Sequence, residues 1–122
     1  MDDPNITSRK TDHIRINLEN DVQSGLTTGL EKYHFIHQAV PEMDLDDVQL
    51  GQKIFNRDVK IPILISSMTG GTRETGLINH RLAEAAQATG AAMGLGSMRA
   101  ALVDEDAKHT FKVRNIAPDI LL

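Results

Sequence analysis

The chain has 122 residues, of which 40% are hydrophobic and 25% charged, proportions typical of a single folded domain. Its formal net charge of −4 and its aromatic content of 3% disfavour a nucleic-acid-binding protein, because they provide neither a general attraction to phosphates nor a platform for stacking bases. The absence of cysteine excludes disulfides and thiolate metal sites, and the polar N-terminus without any long apolar run predicts a soluble, cytoplasmic protein with no membrane span.

The first part of the chain, residues 1–47, predicts little regular structure. Residues 1–24 are polar and charged and follow no helical or strand period, which predicts an irregular arm. In residues 25–47, turn signals surround a short mixed segment, residues 30–40, that predicts one loose helical turn. We therefore interpret residues 1–47 as an arm and cap segment.

Residues 48–60 predict a β-hairpin. Val48 and Leu50 alternate with polar residues, Ile54 and Phe55 follow, and the turn is predicted at residues 56–58. We expect this hairpin to cap one end of a larger structure.

From residue 61 the pattern changes to strands that alternate with helices. Residues 61–65 form a nearly continuous apolar run, which is typical of a parallel strand buried on both faces. A helix is predicted over residues 73–89, ending at Gly90, with a second strand at residues 92–95. The apolar residues with helical spacing are predicted to form its buried face; they are Leu77, Ile78, Leu82, Ala85 and Ala86.

A second helix is predicted over residues 105–116, between an N-cap at Asp104 and Pro118, and residues 119–122 begin a third apolar strand. Strict alternation of strand and helix predicts an α/β fold with parallel strands. Because a (β/α)₈ barrel needs about 250 residues, we interpret residues 61–122 as the first two β/α units and the start of the third strand of an incomplete TIM barrel. A short three-stranded α/β unit is the alternative.

Gly-rich segments follow both of the first predicted strands: "SSMTGG" follows the first and "GLGSMRA" the second. Ligands of parallel α/β folds bind where strands end and helices begin. In the first segment Ser67 and Thr69 offer hydroxyls, Gly70 lets backbone N–H groups approach a planar or anionic ligand, and Met68 can lie against a flat ring. The alternative is that the glycines merely turn the chain.

Cations occur in the second Gly-rich segment and in the arm. Arg99 follows Ser97 and Met98, and its planar guanidinium suits a phosphate or carboxylate. Its alternative role is a surface ion pair with Asp104 or Glu105.

The arm contains "RKTDHIRI", which concentrates Arg9, Lys10, His13 and Arg15 in an otherwise acidic chain. On a flexible segment these residues can close as a lid over a polyanionic ligand. A solvated basic patch is the alternative. The remaining histidines show no spacing typical of metal ligands.

In order and spacing, these segments resemble type 2 isopentenyl-diphosphate isomerase, the flavin-dependent form. The wider family of FMN-binding barrels shares the architecture but lacks the basic arm motif. The resemblance covers nearly the whole chain and rests on the segments RKTDHI, LEKYHFIHQAVPE, PILISSMTGG, GLGSMRAAL and APDILL.

The resemblance implies an FMN-binding (β/α)₈ barrel that works as a homo-oligomer in isoprenoid biosynthesis. Members of this family interconvert isopentenyl diphosphate and dimethylallyl diphosphate, with FMN, Mg²⁺ and NADPH as cofactors. The reduced flavin serves as the acid–base group, so no catalytic side chain is expected in this chain.

Residue roles also follow from the resemblance. It implies that FMN is contacted by Ser67, Met68, Thr69, Gly70 and Ser97. It implies that the substrate diphosphate is bound by Arg9, Lys10, His13, Ser97, Met98 and Arg99. The glutamate that holds Mg²⁺ is expected beyond residue 122, so we predict that this chain is the first third of such an enzyme and is inactive alone. A non-catalytic assembly module and another FMN-barrel oxidoreductase remain as alternatives.

Overall fold

The structure, a computed structural model, describes residues 5–122. This part of the chain combines helices with small two-stranded sheets, as expected for an α/β fold. The α-helices are α1 Asn5–Glu19, α2 Arg73–Thr89 and α3 Arg99–Val103; the strands are β1 Gln52–Ile54, β2 Arg57–Val59, β3 Leu64–Ile65 and β4 Ala92–Met93. The 3₁₀ helices are Leu30–Lys32, Leu45–Asp47 and Asp106–Phe111.

The predicted irregular arm is wrong over residues 5–19, which form α1, while residues 1–4 lie outside the described residues. From residue 8 onward, every side chain of α1 is exposed or only half-buried. A guanidinium nitrogen of Arg15 lies 3.1 Å from Asp12 and another lies 3.7 Å from Glu19, pairs that stabilise a helix across one turn. A helix without a buried apolar face needs no apolar period in its sequence, which explains why the pattern from residue 8 onward did not predict α1.

Residues 20–50 lie on the surface, and all of them except the half-buried Gly29 are exposed. The helical turn predicted between residues 30 and 40 is confirmed as the 3₁₀ helix Leu30–Lys32. A second turn, Leu45–Asp47, was not predicted. Its Asp44 backbone N–H donates to an Asp47 carboxylate oxygen at 3.2 Å, a local bond that holds the turn closed.

A hairpin is present, although its strands are shorter and its turn lies one position earlier than predicted. Strands β1 and β2 pair antiparallel, with Ile54 opposite Arg57. Arg57 therefore belongs to the strand, and the loop consists of Phe55 and Asn56, whose φ angles of 49° and 61° are those of a two-residue type I′ turn. Past β2, the Lys60 N–H donates to the Gly90 carbonyl at 3.0 Å, which ties the hairpin to the end of α2.

Strands β3 and β4 pair in parallel, as predicted, with Leu64 opposite Ala92 and Ile65 opposite Met93. Both are shorter than predicted. The third strand, predicted at residues 119–122, does not form a ladder. Instead, the Met93 N–H donates to the Leu121 carbonyl at 2.9 Å on the edge of β4 that faces away from β3. This one hydrogen bond places Leu121 beside β4, but residues 119–122 do not form a strand. The sheets of the described residues have two strands each and do not close into a barrel.

Helix α2 has the predicted bounds but only part of the predicted buried face. It begins after the Thr72 N-cap and ends at Gly90, whose φ of 72° is left-handed as expected for a helix C-terminus. Ala86 is buried as predicted and Leu82 is half-buried against the core, but Leu77 is 54% exposed. The other buried positions are Thr75, Gly76, Asn79 and Ala83. Small residues are buried here because the 3₁₀ helix Asp106–Phe111 packs closely: a Cβ at Gly76 would lie 3.2 Å from the Thr110 Cβ.

The helix predicted over residues 105–116 is only partly present, as the shorter 3₁₀ helix Asp106–Phe111. The preceding helix α3 was not predicted. The two helices separate at Asp104, whose carboxylate accepts a hydrogen bond from the Asp106 N–H at 2.9 Å. After Phe111, the Val113 N–H donates to the Phe111 carbonyl at 3.0 Å, a tight turn that ends the helix and directs Val113 into the core.

The core of the described residues is small and rich in alanine. It consists of Ala83 and Ala86 from α2, Met93 from β4, and Val113, Ala117 and Ile120 from the C-terminal segment. A second cluster contains Ala100, Ala101, Ala107 and Phe111. None of the helices in residues 5–122 combines the length and apolar character needed to cross a membrane.

Candidate functional site

The two Gly-rich segments lie against each other, because the parallel pairing of β3 and β4 places both strand ends at one edge. A Cβ at Gly94 would lie 2.5 Å from the Ser67 Oγ, and a Cβ at Gly96 would lie 2.6 Å from the Thr69 nitrogen. Real Cβ atoms do not approach other heavy atoms this closely. These glycines therefore allow the close contact between the two segments.

The residues predicted to contact FMN differ in accessibility. Ser67 is exposed and Met68 is 72% exposed, so both can be reached by a ligand, whereas Thr69 is half-buried and Gly70 is buried. Gly70 has a φ of 148°, and a Cβ there would collide with the Phe111 ring. The Gly70 backbone conformation and its contact with Phe111 therefore both require glycine at this position, whatever the ligand.

A buried polar network lies beneath this loop, and sequence reasoning missed it. The Asn79 Nδ2 donates to the Thr69 carbonyl at 3.2 Å and to the Thr110 carbonyl at 3.0 Å. The Gly71 N–H donates to the Thr110 Oγ1 at 2.9 Å. The one available signal was a polar residue, Asn79, three residues from Gly76 and four from Ala83 along α2.

Residues of α1 and of the second Gly-rich segment share one pocket. Arg9, Lys10 and His13 line a cavity of about 180 Å³ together with Ser97 and Arg99, and Ala100 completes the lining. Arg9 and His13 are four residues apart and so lie on the same side of α1. Except for Met98, this set contains every residue predicted to bind the substrate diphosphate, although the segments are about 90 positions apart in the sequence.

In the part of the chain that the structure describes, no carboxylate pairs with the arginines or the lysine of this pocket. Among the described residues, no ion pair involves Arg9, Lys10 or Arg99, and Glu105 instead pairs with Lys108 at 2.6 Å. The Arg99 side chain is exposed, at the first residue of α3, and its backbone N–H donates to the Ser97 Oγ at 3.4 Å. The alternative pairing of Arg99 with Asp104 or Glu105 is not observed, so its guanidinium is available to an anion.

Met98 faces a different cavity. This second cavity, of about 270 Å³, is mostly apolar and is lined by Met98, Ala101, Leu102, Lys108, Phe111 and Lys112. The structure therefore separates Met98 from the cations with which it was grouped. Within residues 5–122, no cluster of histidine and carboxylate side chains has a geometry suited to a metal ion.

Comparison with known proteins gives a consistent set of relatives. No protein-family model matches this chain. Over 114 residues it is 54% identical to the isopentenyl-diphosphate delta-isomerase of Rickettsia felis, 53% identical to that of Rickettsia rickettsii (strain Sheila Smith) and 54% identical to that of Rickettsia prowazekii. Each match covers 93% of this chain but 33% of the relative. The chain is thus similar to curated isopentenyl-diphosphate delta-isomerases and spans about a third of their length.

Proposed function

We propose that this chain forms one part of the active site of a type 2 isopentenyl-diphosphate delta-isomerase, the FMN-dependent form. The whole protein would interconvert isopentenyl diphosphate and dimethylallyl diphosphate in isoprenoid biosynthesis. The names of the relatives support the isomerase activity. The observation that carries the proposal is the pocket in which Arg9, Lys10 and His13 of α1 meet Ser97 and Arg99.

The charges in this pocket suit a diphosphate. The Arg99 guanidinium can donate two parallel hydrogen bonds to phosphate oxygens, while the Lys10 ammonium acts as a compact positive charge. Each charge-assisted hydrogen bond contributes roughly 1.5–3 kcal/mol, so a few of them are enough to hold a substrate whose hydrocarbon part is small. Because no side chain of α1 from residue 8 onward is fully buried, this part of the helix can adjust its position as the diphosphate binds.

The neighbouring surface fits a flavin in part. Ser67 and Ser97 are exposed residues that carry hydroxyls, and Met68 is an exposed residue whose thioether suits a flat ring. Gly70, by contrast, lies against Phe111, so its contribution would come from its backbone. When bound, reduced FMN supplies the acid–base group for the allylic proton shift. The residues of this chain would bind and orient the substrate beside it.

Several properties of the whole protein belong to the same proposal. They are a (β/α)₈ barrel, a homo-oligomeric assembly, a cytoplasmic location, and the use of Mg²⁺ and NADPH. We assign no Mg²⁺ or NADPH ligand to residues 5–122.

A chimera tests the proposal. In the Rickettsia felis relative, the 114 matching residues are replaced by those of this chain. The purified chimera is then incubated with labelled isopentenyl diphosphate, FMN, NADPH and Mg²⁺. We expect labelled dimethylallyl diphosphate to form only when FMN is present. A folded chimera that binds FMN but forms no product would contradict the proposal, and a chimera that oxidises NADPH continuously would favour an oxidoreductase.

A further inference from the structure

Two polar side chains are almost completely buried beneath residues 67–71, the flavin-contacting loop, which contains four of the predicted FMN contacts. Asn79 is 3% exposed and Thr110 is 1% exposed, and both lie among the small residues packed between α2 and the 3₁₀ helix Asp106–Phe111. Burial of an amide or hydroxyl is unfavourable unless its hydrogen bonds are satisfied. The partners of these two groups therefore indicate why polar residues occupy these positions.

Those partners are backbone atoms on both sides of Gly70. Asn79 donates to the Thr69 carbonyl at 3.2 Å, and the Gly71 N–H donates to the Thr110 Oγ1 at 2.9 Å. The two residues are themselves linked, because the Asn79 side chain also donates to the Thr110 backbone carbonyl at 3.0 Å. Thr110 completes its bonding by donating its hydroxyl proton to the Ala107 carbonyl at 2.7 Å.

We propose that Asn79 and Thr110 are positioning residues that set the shape of the flavin-contacting loop, an inference that rests on the proposed function. Neither side chain can touch a ligand, since both are buried. They hold the carbonyl of Thr69 and the N–H of Gly71, and this fixes the backbone from which the exposed Met68 projects. Preorganisation of this kind lowers the conformational cost of ligand binding.

The test uses the chimera described above and measures the FMN dissociation constant by quenching of flavin fluorescence. Thr110→Val keeps the shape of the side chain but leaves the Gly71 N–H without an acceptor, so FMN should bind about 10-fold more weakly. Thr110→Ser retains the hydroxyl, so its FMN dissociation constant should lie within about twofold of that of the unsubstituted protein. Asn79→Leu, which removes the donor to Thr69, should weaken FMN binding in the same way.

Gln87→Ala is the matched control. Gln87 is an amide on the same helix that also makes two hydrogen bonds, here with Asp119 at 2.9 and 3.2 Å, but it lies far along α2 from the loop. Its loss should lower the melting temperature without changing the FMN dissociation constant. A merely structural role for Thr110 would produce this same pattern in Thr110→Val and would overturn the inference.

Other outcomes are equally decisive. An unsubstituted chimera that folds but binds no FMN would overturn the proposed function and this inference together. FMN binding that is unchanged in Thr110→Val or in Asn79→Leu would overturn the inference alone. If both variants fail to fold, hydrogen exchange at the Gly71 amide of the unsubstituted chimera decides: slow exchange supports the bond to Thr110, and exchange at the rate of an open loop refutes it.

Discussion

Gly96 lies directly against the backbone of Thr69, so that a Cβ added at Gly96 would be 2.6 Å from the Thr69 nitrogen. This contact joins the two Gly-rich segments of the candidate site. Because backbone cannot move aside as a flexible side chain can, Gly96→Ala should lower the free energy of unfolding by about 1–3 kcal/mol, as measured by urea denaturation.

Gly25→Ala is the control for this change, because no heavy atom lies within 4 Å of a Cβ at Gly25. It should alter the free energy of unfolding by no more than about 0.5 kcal/mol. Equal effects of the two substitutions would mean that the close contact between Gly96 and Thr69 does not stabilise the fold.

Gly70 should be intolerant of a side chain for two separable reasons. Its φ of 148° disfavours any residue with a Cβ, and the Phe111 ring occupies the space that the Cβ would need. Gly29→Ala isolates the first reason, since Gly29 has a φ of 81° with no heavy atom near its Cβ position. We expect Gly70→Ala to lower the melting temperature more than Gly29→Ala does.

A double-mutant cycle separates the collision from the strain. In a Phe111→Ala background the additional cost of Gly70→Ala should shrink, because the ring is no longer present. If the two costs simply add, the contact between Gly70 and Phe111 is not the cause of the destabilisation.

Arg99 should contribute to diphosphate binding through its guanidinium. In the chimera, Arg99→Ala should raise the dissociation constant of inorganic pyrophosphate about 10-fold or more, and Arg99→Lys should restore only part of the affinity, because it lacks the planar fork. Isothermal titration calorimetry measures both. Arg81→Ala, an exposed arginine of α2 that does not line the pocket, is the control.

The same titrations at two salt concentrations test whether charge is the cause. At high salt, the pyrophosphate dissociation constants of Arg99→Ala and of the unsubstituted protein should differ less, since exposed charges are screened. A pyrophosphate affinity that is unchanged by Arg99→Ala would remove Arg99 from the site.

Glu31 should show a pH-dependent contribution to stability. The Thr27 hydroxyl donates to its carboxylate at 2.6 Å and, with backbone N–H groups, lowers the pKa of Glu31 in the folded chain. A carboxyl with a lowered folded-state pKa stabilises the fold above its unfolded pKa, and this contribution is lost as the pH falls through the folded value. Thr27→Ala should therefore raise the pKa of Glu31, as measured by NMR titration.

Thr28→Ala provides the comparison for this titration. The Thr28 hydroxyl accepts from the Leu30 N–H at 3.3 Å, whereas the side chain that bonds to the Glu31 carboxylate is Thr27. The Thr28→Ala substitution should leave the pKa of Glu31 unchanged. A Glu31 pKa that is the same in both variants would show that the hydroxyl of Thr27 is not responsible.

Local patterns predicted a substantial part of this fold. The bounds of α2 followed from helical spacing and from Gly90, and the parallel pairing of β3 and β4 followed from apolar runs separated by a helix. Prediction failed where the sequence carries no local pattern that reports the structure. From residue 8 onward no side chain of α1 is fully buried, and the last helix ends after Phe111 in a tight turn that directs Val113 into the core.

The candidate site divides in the same way. Residue order alone located the two Gly-rich segments, their hydroxyls and the basic motif that begins at Arg9, because strand ends and charge clusters are local features of a sequence. Only tertiary structure showed that Gly70 lies against Phe111, that Arg9 and Arg99 line one pocket, and that Thr110 holds Gly71 from 39 positions away. The contacts of Phe111 and Thr110 depend on how the 3₁₀ helix Asp106–Phe111 packs against α2 and the loop before it, and the pocket depends on how α1 lies against the second Gly-rich segment. Packing between distant segments leaves no periodic signal in any of them.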